Sequence, residues 1–491
     1  MQISREHRMV TRIQILLLTL FLACHITFNS HANNLKTKDD FTAVNWQDIY
    51  TQMNVNHKSI PQTIAVFEQN YLKASNVDSG DRDGNGDEFG TSIAIDGDTL
   101  VVGAKFEDGN NDDTLSSGAA YVFVKSNNIW VEQAYLTASN AINDSQFGIA
   151  VGISGNTIVV GSHKEDTTAT DSGAVYVFTR SSNIWTEQTI LKASNPGLND
   201  NFGSSVDIDG DTIVAGAYLE DGADDGNEDD AGAAYVFVGS GNSWTQQEYL
   251  QADNLENGDN FGVSVSISND TIVVGANSEN GDDSGLQDDS GAAYVFTRAV
   301  TSWTQQDYLS ASNAQDKDNF GISVAISADT IVVGAHLEDG LDNGSQDSSG
   351  AAYVFTRSGN FWNEQVKLKS DNTTASDLFG NSVAIDGDNI IVGAPNEGGD
   401  EGAAYLFTPD QNTWIQQSHL KASNSDAMDL FGLDVAISGN NLASSAPGED
   451  SAFINNPNDN TFDAIGAGAV YVYSSLEILF SNGFESIVIS Q

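Results

Sequence analysis

Phe320-Gly321-Ile322-Ser323-Val324-Ala325-Ile326-Ser327-Ala328-Asp329-Thr330-Ile331-Val332-Val333-Gly334-Ala335 decides the fold. Residues 322–326 alternate apolar and small side chains, the pattern of a half-buried strand. Ser327-Ala328-Asp329 is a tight turn, and at the matching places Asp96, Asp209 and Asp386 open Asp-Gly-Asp, a stronger hairpin signal. Thr330 to Ala335 is a continuous β-branched run, as expected of a strand covered on both faces. Ala351-Ala352-Tyr353-Val354-Phe355 predicts a third strand and Trp362 to Lys369 a fourth. No helical periodicity competes with this reading.

The unit recurs. Phe-Gly stands at Phe89, Phe147, Phe202, Phe261, Phe320, Phe379 and Phe431. Fourteen residues after each Phe comes a small residue, Gly103, Gly161, Gly216, Gly275, Gly334, Gly393 or Ser445. Gly-Ala-Ala-Tyr-Val-Phe or a close variant follows, then in six units a Trp with Gln three residues on, from Trp130 to Trp414. Four antiparallel strands of this length cannot bury both faces alone, whereas packing such sheets radially does bury them. The expected fold is therefore all-β, a seven-bladed β-propeller of four-stranded antiparallel blades. Glycine and alanine suit the crowded axis, and Tyr, Phe and Trp should fill the wider gaps between blades.

The last unit lacks the Trp strand, and an unmatched strand lies at the other end. Glu68-Gln69-Asn70-Tyr71-Leu72-Lys73-Ala74-Ser75-Asn76 parallels Glu132-Gln133-Ala134-Tyr135-Leu136-Thr137-Ala138-Ser139-Asn140. This N-terminal strand is expected to complete blade seven and close the ring, with Leu476 to Phe480 as the rival for that slot.

The Phe-Gly and Gly-Ala(-Pro) pattern, fullest at Phe379-Gly380 with Gly393-Ala394-Pro395, resembles the FG-GAP repeat of integrin α-subunits and of many bacterial exported proteins. The resemblance covers residues 64–475 and implies a propeller that serves as a binding platform, often in adhesion and often with Ca²⁺. In integrins the cation sits in a loop between the first and second strands. Here that connection is too short to wrap an ion that takes 6–8 oxygens, so Ca²⁺ does not carry over to it.

The chain has 491 residues, of which 69 are acidic and 19 basic, a net charge of −50. That balance argues against nucleic acid and anionic lipid as partners, and suits cations or a basic partner. Residues 1–32 read as a signal peptide: Arg5, Arg8 and Arg12 precede the apolar run Ile13 to Phe28, and Ser30-His31-Ala32 offers a cleavage site. The lone cysteine, Cys24, lies in this segment, and a lipid anchor on it is the alternative. Residues 33–63 form a lead-in, 64–475 the propeller and 476–491 a C-terminal tail. No later stretch is long and apolar enough for a membrane helix.

In such a meander the loops between strands two and three share a face with the connections between blades. Those seven loops hold 30 of the 69 carboxylates, so one face should be intensely negative and the other should carry short neutral turns. Asp81-Arg82-Asp83-Gly84-Asn85-Gly86-Asp87 places oxygen ligands at Asp81, Asp83, Asn85 and Asp87, like the start of an EF-hand loop, although Ser92 stands where the closing Glu belongs. These four are the candidate Ca²⁺ ligands. Asp two residues before Phe recurs in six units, and its repetition favours a turn that accepts backbone N–H groups over a ligand role. His57, His163, His336 and His419 are never paired at metal spacing, and no nucleophile elbow, His-Glu-x-x-His or phosphate loop is present, so no enzyme is expected. The function these features favour is a non-enzymatic binding or adhesion module outside the cell. It would be a monomer, using the acidic face toward a protein, a glycan or a basic partner. A structural propeller without a ligand is the alternative, and a propeller hydrolase or lyase a more distant one.

Overall fold

The computed structural model describes residues 63–76, 86–109, 114–221, 230–240, 243–254, 256–280, 289–339, 348–411, 413–450, 466–479 and 488–489. Six sheets each take four strands consecutive in sequence, hydrogen-bonded in chain order. The first comprises Ser92–Asp96, Thr99–Ala104, Ala119–Ser126 and Ile129–Leu136. The seventh is composite. Val435–Ser438, Asn441–Ala446 and Ala469–Leu479 are joined by the N-terminal strand Thr63–Leu72, which pairs antiparallel with Ala469–Leu479 in the register Phe67 with Ser474 and Leu72 with Val470. Closure thus belongs to the N-terminal strand. The rival segment from Leu476 to Leu479 extends the third strand of blade seven instead, pairing with Thr63–Ala65 and with Val488–Ile489.

First strands neighbour one another in order around a circle, with blade one against blade seven. The turn after each first strand fastens this ring. The Gly155 N–H donates to Asp96 Oδ2 at 2.6 Å, Gly210 to Ser154 Oγ at 3.1 Å and Asn269 to Asp209 Oδ2 at 2.6 Å. Ala328, Gly387 and Gly439 continue the series, and Gly97 closes it on Ser438 Oγ at 3.0 Å. This end of the molecule is therefore not neutral, as the sequence reading had it. Its turns carry carboxylates, and Arg298 pairs with Asp270 at 2.7 Å while Arg357 pairs with Asp329. The turn carboxylates are there because innermost strands have no neighbour on one edge, and a side chain from the preceding blade satisfies their amides.

The aromatic residues form the core between blades, as expected. Phe261 is fully buried, with its ring edge-on to Tyr294 at 5.4 Å and to Phe296 at 6.0 Å, among Val214, Val236 and Val274. The small residue fourteen after Phe is required by close approach. A Cβ on Gly275 would lie 2.0 Å from the Gly321 carbonyl oxygen of the next blade. Among the described residues the exception to strand and turn is the single helical turn Glu397–Asp400.

Candidate functional site: the loop face

The end opposite the turn ring is organised by a glutamate eighteen residues after each Phe: Glu107, Glu165, Glu220, Glu279, Glu338, Glu397 and Glu449. Six of the seven are buried at 1–3 % exposure, which separates them from ordinary loop acids. Each roots the loop that follows the second strand. Each also accepts a hydrogen bond from an asparagine that ends the preceding blade. Asn254 Nδ2 donates to Glu279 Oε1 at 3.0 Å, and the same bond runs from Asn76 to Glu107 at 2.8 Å round to Asn424 to Glu449 at 2.9 Å. The intervening pairs are Asn140 with Glu165, Asn195 with Glu220, Asn313 with Glu338 and Asn372 with Glu397. The asparagine carbonyl in turn accepts the hydroxyl of a third-strand tyrosine, as at Tyr121, Tyr176, Tyr235, Tyr353, Tyr405 and Tyr471. Burial and the adjacent glutamate push these phenols well above their usual range, so they are donors at any physiological pH.

The seven glutamates differ in what completes their shell. In blades two, five, six and seven a lysine reaches the carboxylate. Lys192 pairs with Glu165, Lys367 and Lys369 with Glu338, Lys421 with Glu397 at 2.6 Å, and the fully enclosed Lys73 with Glu449. In blades one, three and four a second tyrosine donates instead: Tyr135 to Glu107 at 3.0 Å, Tyr249 to Glu220 at 2.7 Å and Tyr308 to Glu279 at 2.8 Å. The electrostatics follow. Burial raises the Glu107 carboxyl above the ordinary range, because its hydroxyl and amide donors only partly offset it. Burial acts the same way on Glu338, but its two lysines outweigh it and hold that carboxyl below the range.

The recurrent Asp two residues before Phe is a turn residue, as the repetition implied. Its carboxylate accepts the N–H three residues back, from Gly197 to Asp200 at 2.5 Å, Glu256 to Asp259 at 2.8 Å, Gln315 to Asp318 at 2.8 Å and Asp426 to Asp429 at 2.8 Å. Burial, with the glutamate of the same blade beside it, raises Asp259, Asp318 and Asp429 to about 7 and Asp200 to about 6.

Of the four candidate Ca²⁺ ligands, Asp81, Asp83 and Asn85 lie outside the described residues. Asp87 is described and is 3 % exposed, in the same turn position as Asp200 and Asp259, and its charge acts on Tyr121 and Tyr135. Among the described residues no group of three or more His, Cys, Asp or Glu side chains is arranged to hold a metal. His163 and His336 are kept neutral by burial, at about 4, and His419 stacks on Tyr405 at 4.8 Å. No helix among the described residues is long and apolar enough to cross a membrane.

In the sequence the seven glutamates stand among the 30 carboxylates of the acidic loops, with nothing that marks them as buried. The signal that could have separated them is their constant distance from Phe in all seven units, where the acid directly after them, Asp108, Asp166, Asp221, Asp339 or Asp450, recurs in five.

The chain matches the FG-GAP repeat over residues 67–123, 130–178, 185–237, 244–296, 303–355, 362–407 and 414–473. Each match begins on the outer strand of one blade and ends on the third strand of the next, so repeat and blade are one strand out of phase. No curated protein matches the chain. The seven matches cover most of the sequence, and the chain belongs to the FG-GAP repeat family.

Proposed function

We propose that this FG-GAP propeller is an exported, non-enzymatic binding module that engages its ligand with the acidic loop face. The observation that carries this reading is the uneven division of labour among the carboxylates. Seven of the 30 loop acids are consumed as roots that tie blade to blade, six of them buried, and the remainder belong to the loops that follow. Blade three concentrates four of them at Asp224, Asp225, Glu228 and Asp229. A focused negative field of this kind favours a basic protein segment, or a glycan bridged by cations, over any anionic ligand. Ca²⁺ at Asp81, Asp83 and Asn85, with Asp87 withdrawn into its turn, would make that engagement cation-dependent. Export through residues 1–32 places the face outside the cell, in a role such as adhesion.

The test compares the mature chain with a variant carrying Asn or Gln at 224, 225, 228 and 229. Both are titrated with a lysine-rich peptide and with a panel of immobilised glycans, with and without Ca²⁺. The reading expects at least one probe to bind the wild type and to lose tenfold or more in affinity with the variant. Equal binding by both would remove the blade-three loop from the binding face, and none by either would leave a purely structural propeller as the better account.

A further inference from the structure

We infer that Lys73 and Asn424 form an isopeptide bond across the ring closure, catalysed by Glu449, so that the circle is sealed covalently. The three side chains meet where the N-terminal strand completes blade seven. The Lys73 ammonium lies on Glu449 Oε2, and the Asn424 amide nitrogen donates to Glu449 Oε1 at 2.9 Å, so one carboxylate holds both the amine and the amide. Lysine, glutamate and asparagine meet in the same way in blades two, five and six, through Lys192, Lys369 and Lys421. In those blades the lysine side chains are 25, 22 and 29 % exposed, and Asn140, Asn313 and Asn372 are not buried. At the seam the Lys73 side chain is 0 % exposed, and Asn424 alone of the seven asparagines is buried.

Enclosure sets the chemistry. Burial pushes the Lys73 ammonium below the usual lysine range, against the opposing pull of the Glu449 charge. Proton transfer within the pair gives a neutral amine beside a carboxylic acid, a form that a dry site favours over two charges. The neutral Nζ is a nucleophile. Its lone pair attacks Asn424 Cγ, and the carbonyl π electrons move onto Oδ1. Tyr471 donates its hydroxyl to that oxygen at 2.5 Å and stabilises the charge that develops there. Glu449 gives its proton to Nδ2 and takes one from Nζ. The Nζ–Cγ bond forms, the Cγ–Nδ2 bond breaks, and ammonia leaves with the electrons of that bond. Nothing is oxidised or reduced. Tyr71 donates to Glu449 Oε2 at 2.9 Å and helps to fix the carboxylate between amine and amide, which replaces a chance encounter by a held one. In blades two, five and six solvent exposure keeps the ammonium hydrated and protonated, so the same trio stays an ion pair. The seam bond would tie the closing strand to the segment that leaves blade six, at the one place where the ring is not continuous chain.

Intact-mass spectrometry of the folded mature chain tests the bond. The wild type should lie one ammonia below the mass its sequence requires, and Lys73→Arg and Glu449→Gln should lie at the full mass. A digest of the wild type should yield a branched peptide that joins the segments around Lys73 and Asn424, and none that joins Lys192, Lys369 or Lys421 to an asparagine. A wild type at full sequence mass after prolonged incubation at neutral pH overturns the inference. So does an ammonia loss that persists in Lys73→Arg, because cyclisation of Asn424 onto the Ser425 backbone nitrogen also releases ammonia. A bond formed equally in Glu449→Gln overturns catalysis by that carboxylate. Should the variants fail to fold, the branched peptide of the wild type decides: its presence carries the inference and its absence overturns it.

Discussion

Blade four and blade seven are built on the same plan from different chain economies. In blade four the strands Ser264–Ser268, Thr271–Ala276, Ala292–Ala299 and Ser302–Leu309 follow one another. In blade seven the outer strand comes from the opposite end of the sequence, and the joints on either side change accordingly. Trp303 Nε1 donates to Gln247 of blade three at 3.0 Å, a clasp repeated at Trp185, Trp244, Trp362 and Trp414. Blade seven has Val66 in place of the tryptophan, and Trp130 of blade one, which should clasp blade seven, has an indole N–H with no partner. The compensation is local and charged. Lys73 is fully enclosed against Glu449, and Tyr71 donates to the same carboxylate at 2.9 Å. The rim bonds persist, with Ser423 Oγ on Glu68 and Ser75 Oγ on Glu132. A repeat out of phase with its blade thus closes the circle at the cost of one clasp on each side, and a buried ion pair stands in for them.

The largest effect should come from removing the closing strand. A chain beginning at Val77 leaves Ala469–Leu479 as an open edge and uncovers the partners of Tyr71 and Leu72, a loss on the order of 5 kcal/mol from those two side chains. Truncation after Ser475 removes the extension of the third strand and the two-residue strand Val488–Ile489 paired with it, so its melting temperature should fall much less. Next comes Lys73→Ala, which strands Glu449 without its cation and should cost about 3 kcal/mol in denaturant unfolding. The same change at Lys192, whose side chain is a quarter exposed, should cost clearly less.

pH sharpens the comparison in the opposite direction from ordinary acid denaturation. Asp259 and Asp429 have folded values raised to about 7, by burial first and then by Glu279 and Glu449. A raised value means that folding favours the protonated form. Their contribution is fully present below the unfolded value near 4 and is lost as pH rises through about 7. The protein should therefore be more stable at pH 5.5 than at pH 8 in thermal scans. A flat profile would mean that these carboxylates are not held as the geometry implies. The smallest difference separates two tryptophans. Trp303→Phe loses a hydrogen bond that Trp130→Phe does not, so it should be the costlier by about 1 kcal/mol.

The ring was legible in the sequence because both of its requirements leave a period behind. Phe261 and Gly275 are fixed by contacts that every blade must make, so they recur at constant spacing. The loop-face network was only half legible. Asp259 showed as a turn residue because a short side chain before a strand has few other uses. Glu279 did not show, because in composition a buried glutamate bonded to Asn254 looks like any acid in an acidic loop. Its burial arises from two chain segments meeting across a blade boundary, a tertiary fact that local pattern does not contain. The neutral-turn reading failed at Asp96 and Asp209 for the same reason, since the N–H groups that donate to them lie in the next blade.

Closure by the N-terminal strand is the central claim, and a cross-link tests it most directly. Phe67 and Ser474 are paired across the seam, within the Cα separation that a disulfide bridges. The double variant Phe67→Cys with Ser474→Cys, made in a chain lacking residues 1–32 and hence Cys24, has no other thiols. After mild oxidation it should become a monomeric loop, seen as faster migration without reductant and as the 67–474 linked peptide in a digest. An uncross-linked monomer under the same conditions, in protein that melts like the wild type, would contradict closure by this strand.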